Sequence, residues 1–239
     1  MNKLKEIKIR YLILLLISVS ACVSIKPEKL ESYFVPIPES SKTLDIPKYK
    51  ATPESKEHPF VYWNFSKQKQ NQLGLQYPET STDSLIYRVW ITNPGGSRNQ
   101  AHGLIELKYD SAGWNASLTL MRVNFNAGKL SEKIKKHKVI VLKPLKTNWE
   151  TIVDSLYKLK FDVLPTDEKI PYYYNDITRY SNNKTTFSFE FATKKKYRFY
   201  QYSNVYRNNK NFWQPQNVIN ILALFEAEFK WDTLAREYF

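Results

Sequence analysis

The sequence predicts an α+β protein: an antiparallel sheet of about six or seven strands with two helices packed on one face. Three observations carry this. Short runs rich in β-branched and aromatic residues, such as Ser84–Thr92, recur between turn signals and read as strands. The period then changes twice, near Trp149 and after Pro215, to the spacing of amphipathic helices. Consecutive strands with short turns pair antiparallel, and two helices with one apolar stripe each cover a single face.

The elements follow in order. Phe60–Phe65 is a short aromatic run and predicts a strand. Ser84–Thr92 predicts the next, closed by the turn Asn93-Pro94-Gly95-Gly96. Gly103–Tyr109 places Ile105, Leu107 and Tyr109 on one face, and Asp110-Ser111-Ala112-Gly113 turns the chain. Trp114–Phe125 alternates, with Leu118, Leu120 and Arg122 on one side and Thr119, Met121 and Val123 on the other. Lys138–Leu142 is a compact apolar strand. Thr147 to Glu150 reads as a capping box, Thr147 capping and Glu150 reaching back. Trp149, Ile152, Val153, Leu156 and Tyr157 then line one helical face that ends before Pro165. Thr185–Thr193 alternates Phe187, Phe189 and Phe191 against Thr186, Ser188 and Glu190. Lys196–Tyr202 is its hairpin partner across Thr193-Lys194-Lys195. Pro215 opens the last helix, where its missing N–H does no harm, and Val218, Ile221, Leu222, Phe225 and Phe229 form the buried stripe.

The N-terminus carries a different signal. Lys3, Lys5, Lys8 and Arg10 precede the apolar run Tyr11–Val19 and the sequence Val19-Ser20-Ala21-Cys22. A basic start, a short apolar run and small residues make a secretory signal. About 11 helical residues rise roughly 16 Å, against a hydrocarbon core of about 30 Å, so the run is too short to span. Its last four residues resemble the lipobox of bacterial lipoproteins. The resemblance implies cleavage before Cys22 and lipidation of Cys22 on its sulfur and amine. Residue 23 is Val rather than Asp, and the residues that follow lack an acidic run. By resemblance to lipoprotein sorting patterns, this implies an outer-membrane anchor facing the periplasm.

The domain expectation is therefore 1–21 as signal peptide, 22–57 as tether and 58–239 as one globular domain. Pro27, Pro36, Pro38, Pro47 and Pro53 give the tether its stiffness. Fully extended, it would reach on the order of 100 Å. Cys22 is the only cysteine, so no intramolecular disulfide is available and the domain depends on its core. From Thr147 onward the layout resembles a set of uncharacterised Bacteroidota lipoproteins. The matching residues are Trp149, Phe161, Leu164 and Pro165, the strands around Phe189 and Tyr197, and the helix after Pro215. That resemblance implies no activity.

The net charge is +13, and +10 once residues 1–21 are set aside with their four basic groups and Glu6. Lysines cluster at Lys133, Lys135, Lys136 and Lys138. A second cluster, Lys194, Lys195, Lys196 and Arg198, runs into Tyr197, Phe199 and Tyr200. Basic groups interleaved with aromatics can bind single-stranded nucleic acid. An exported protein meets little of it, and strand alternation places half of these rings in a core, so no nucleic acid is expected. The expected partners are the membrane, through the lipid, and an envelope protein or an anionic polymer. The competing reading is a solvated turn with no ligand. Tyr172, Tyr173 and Tyr174 join the candidate surface, because three consecutive rings cannot all face one side of a strand.

Enzymatic signals are sparse. His58, His102 and His137 have no metal-ligand spacing and read as surface or loop residues. None of the six glycines forms a phosphate loop. Ser97 near His102, and the pairs Asp167-Glu168 and Glu226/Glu228, lack the spacing of a catalytic set. No cofactor or metal is expected. The expected function is a non-enzymatic, lipid-anchored binding module. The alternatives are an envelope enzyme acting on glycan or peptide, with a site assembled from distant residues, and an inhibitor presenting the hairpin Phe187–Tyr202.

Overall fold

The computed structural model describes residues 37, 39–49, 58–83, 85–93, 99–126, 130–170, 185–203, 205–206 and 212–239. Among them are seven strands: β1 Thr43–Asp45, β2 Leu85–Asn93, β3 Asn99–Asp110, β4 Gly113–Asn126, β5 Ser131–Val141, β6 Thr186–Thr193 and β7 Lys196–Ser203. The helices are α1 Val61–Leu73, α2 Trp149–Lys158, α3 Trp213–Phe229 and α4 Trp231–Tyr238, with a 3₁₀ turn at Asp167–Lys169. The strands form one sheet in the order β1-β7-β6-β2-β3-β4-β5. Every neighbouring pair is antiparallel except β1 with β7, which run parallel. The α+β class and the mostly antiparallel sheet are as the sequence predicts.

One face of the sheet holds the main core. Tyr87, Val89, Ile105, Leu107, Leu118, Leu120, Phe187 and Phe189 pack there against Ile152 and Leu156 of α2 and the stripe Val218, Ile221, Leu222, Phe225 and Phe229 of α3. Each such side chain, fully buried, contributes about 1.5–3 kcal/mol. Phe161 is the hub, edge-on to Tyr87, Phe189 and Tyr200. The Phe161–Leu164 segment also ties to β7: Tyr200 donates to the Phe161 carbonyl at 2.7 Å, and Arg198 to those of Asp162 and Leu164 at 2.6 and 3.1 Å.

Three expectations are corrected. Phe60–Phe65 is not a strand; Val61 begins α1, which covers the opposite face of the sheet. The residues α1 buries are mostly polar, among them Asn64, Ser66, Lys67, Lys69 and Gln70, so apolar periodicity misses them. Gly74 ends α1 in the left-handed region, at φ 65°. The cap of α2 is Asn148, whose side chain accepts from the Thr151 N–H at 2.9 Å. Thr147 instead donates to Glu228 at 3.0 Å. The third correction concerns the tether, since Thr43–Asp45 pairs with Lys196–Arg198 and Tyr49 is buried against Trp63. A short parallel strand and one ring are held by backbone pairing and packing that proline spacing does not announce.

Candidate functional site

A cavity of about 620 Å³ lies between the sheet and the C-terminal helices. Ile91, Gly103, Leu118, Leu120 and Phe187 form its floor. Ile219, Leu222 and Ala223 of α3 line one wall, and Trp231 and Ala235 of α4, with Phe239 beyond it, close the other. Gly103, Ala223 and Ala235 withhold side-chain volume, which keeps the space open. The volume falls within the roughly 300–1,000 Å³ of small-molecule pockets.

Helix α4 is held over this cavity by a few named contacts. Lys230 adopts φ 56° and turns the chain out of α3. Glu226 accepts from the Asp232 N–H at 2.7 Å and from the Thr233 hydroxyl at 3.1 Å. The Trp231 indole donates to the Leu222 carbonyl at 3.0 Å. Arg122, which the sequence places on the same side as Leu120, lies over the Phe239 ring at 4.8 Å. No residue of α4 is fully buried. The charged groups at the mouth are engaged, since Arg236 pairs with Asp232 at 2.6 Å and Glu226 holds the start of α4, while Asn93 and Thr185 add polar lining. The cavity therefore offers mainly apolar surface.

On the other face α1 covers a buried charge cluster. Register sets Arg88 of β2 between Glu106 of β3 and Glu190 of β6. Arg88 pairs closely with Glu106 and stands 3.6 Å from Glu190. Lys67 of α1 reaches down to Glu79 at 2.7 Å and Glu190 at 3.0 Å. Its ammonium lies 5.3 Å from the ring centroids of Trp63, Tyr77 and Tyr197. Gln70 and Tyr197 complete the hydrogen bonding of Glu190 at 2.9 and 3.0 Å. Burial alone would raise the Glu190 carboxyl, but the charges of Lys67 and Arg88 outweigh it and draw it down to about 2. Removing one partner from such a cluster costs about 3–5 kcal/mol, because the other charge stays buried. Lys67, Glu79 and Glu190 are fully enclosed; they bind helix to sheet.

The sequence-predicted candidates fall apart spatially and chemically. Lys194 and Lys195 are exposed at the β6–β7 turn and Lys196 is half-buried. The Thr193 hydroxyl accepts from the Lys195 and Lys196 N–H groups at 3.2 and 3.1 Å and shapes that turn. Arg198 is spent internally: it bonds Asp45 at 2.7 Å as well as two carbonyls. Cys22, Ser97, Tyr172, Tyr173 and Tyr174 lie outside the described residues.

The other candidates carry structure. His102 is buried, not a surface residue, and burial together with Lys69 holds its imidazole well below the ordinary range. Asp167 is buried with its carboxylate accepting from the Ser203 N–H. Glu228 accepts from the Lys146 and Thr147 N–H groups at 3.0 and 3.1 Å, and Glu226 caps α4. Among the described residues no group of three His, Cys, Asp or Glu is placed to hold a metal, and no helix is long and apolar enough to cross a membrane. The cavity under α4 escaped the sequence reading because its lining comes from strands and helices far apart in the chain. The one signal for it was the apolar-small pattern of Trp231, Leu234 and Ala235 after α3. No family model, curated protein or solved structure matches this chain.

Proposed function

We propose that this chain is a non-enzymatic binding module of the cell envelope, anchored by lipid at Cys22, that holds an apolar small molecule between its sheet and its C-terminal helix. The cavity of about 620 Å³ is the observation that carries this reading. Its floor and walls are mainly apolar, and its carboxylates are engaged in holding α4, so an apolar ligand gains burial without displacing those hydrogen bonds. The signal-like N-terminus and Pro27, Pro36 and Pro38, which precede β1, support presentation of the domain away from a membrane.

The test uses phenylnaphthylamine, an uncharged fluorophore that brightens in apolar surroundings. Titration is expected to give saturable enhancement. Ala223→Trp and Ala235→Trp, which fill the cavity from α3 and α4, are expected to weaken it at least tenfold with unchanged circular dichroism. Enhancement that is absent, or that survives both substitutions, rejects the reading.

A further inference from the structure

A second concavity, of about 190 Å³, opens on the opposite face of the sheet beside α1. We propose that it is a binding site for one uncharged sugar unit. The site is independent of the apolar cavity.

Its walls are aromatic. Tyr62 and Phe65 of α1 stand edge to face at 6.5 Å, and Phe65 meets Phe125 of β4 at 5.7 Å. All three are half-buried and present ring surface to the concavity. Its floor is a row of amides and hydroxyls from adjacent strands: Gln201 of β7, Ser188 of β6, Thr92 of β2 and Gln100 of β3. Alternation brings these to one face, and the strand order β7-β6-β2-β3 sets them side by side.

Several of these groups have hydrogen-bonding capacity left over. Gln201 is only 3% exposed. Its Oε1 accepts from Ser188 at 3.4 Å, while its Nε2 donates to nothing among the described residues. Gln100 accepts from His102 at 3.0 Å through Oε1, and its Nε2 is likewise unused there. The Thr92 hydroxyl has no partner among the described residues. Thr92 and Gln100 are half-buried, so these groups stay open at the concavity to a ligand that supplies oxygen acceptors, each such bond contributing about 0.5–1.5 kcal/mol.

Charge sets the ligand class. Lys69 lines the site but is neutralised by Glu132 at 2.8 Å. Its other neighbour there, His102 at 3.5 Å, is held neutral. The wall therefore has no net charge to offer an anion or a cation. Neutral donors and acceptors between aromatic faces suit a pyranose, which presents C–H groups to rings and hydroxyls to amides. The volume lies below the roughly 300–1,000 Å³ of a drug-sized site, which limits occupancy to one unit. That unit can be a free monosaccharide or one residue of a glycan.

Saturation-transfer NMR at millimolar methyl glucoside and N-acetylglucosamine tests this on the full chain. At least one sugar is expected to receive saturation. Thr92→Val and Gln201→Leu, which keep shape and remove polar groups, are each expected to weaken binding at least tenfold with the thermal midpoint unchanged. Ala223→Trp is expected to leave sugar binding intact, which separates this site from the apolar cavity. A tetrasaccharide that binds more tightly than its monomer assigns a glycan. Equal affinity assigns the free sugar, and both results support the site. No transfer to either sugar, or transfer undiminished in both polar variants, overturns it.

Discussion

Two buried carboxyls with opposite electrostatics show what position does to one chemical group. Glu190 has two cations beside it and stays ionised at the centre of the sheet. Asp167, in the 3₁₀ turn, has none among the described residues; burial pushes its carboxyl up to about 7, offset only in part by the Ser203 N–H. Its unfolded counterpart titrates near 3.8. Between those values the folded chain keeps a proton that the unfolded chain has released. The contribution of Asp167 to stability is thus whole below about pH 4, falls as pH rises to about 7, and then levels off. Asp167→Asn stays neutral throughout. It is expected to flatten that slope and to raise stability at about pH 8 by on the order of 2–4 kcal/mol. Urea midpoints collected across pH check this, and an unchanged slope in the variant refutes it. Neither carboxyl's state was legible in the sequence. Glu190 sits in an alternating strand like any outward glutamate, and only the strand order brings Arg88 and Lys67 to it.

At the scale of elements, α1 does a strand's work on an exposed edge. Gln68 and Gln72, four residues apart on one helical face, bond to the main chain of β5 and of Leu130 just before it. The Gln72 side chain donates to the Glu132 carbonyl and accepts from the Ile134 N–H, each at 2.8 Å. Part of the free edge is thereby paired. The rest bears exposed Lys135, Lys136 and Lys138, a common guard against edge-to-edge association. The lysine cluster that invited an anionic polymer has this structural role available to it. Gln72→Ala is expected to speed hydrogen exchange at the Ile134 amide, by about 1–3 kcal/mol of lost protection, while Val89 at the sheet centre is unaffected. Equal exchange at Ile134 in both proteins contradicts the assignment. Strands β2, β3, β4, β6 and β7 and the stripes of α2 and α3 were readable, because each has an apolar face at its own period, whereas three-residue β1 was missed and lysine-rich β5 was read only from Lys138 onward. Helix α1 was not, because its buried face is hydrogen-bonded rather than apolar. Helix α4 was too short, and too exposed, to show a buried stripe.

For the molecule as a whole, the sheet is covered on both faces, with an apolar cavity on one and a polar concavity on the other. The lipid anchor we propose would hold both sites at a membrane. Cys22→Ser is expected to move the protein from the membrane fraction to the soluble one; a variant that still sediments with membranes places the anchor elsewhere. Sequence alone determined the α+β class, most strand positions and the stripe of α3. Each of these is written in local periodicity or in a contiguous motif. Tertiary structure decided the second face, the β1 pairing, the burial of Arg198 and His102, and both concavities. Those depend on which distant residues share a surface, and strand order, rather than local pattern, selects them.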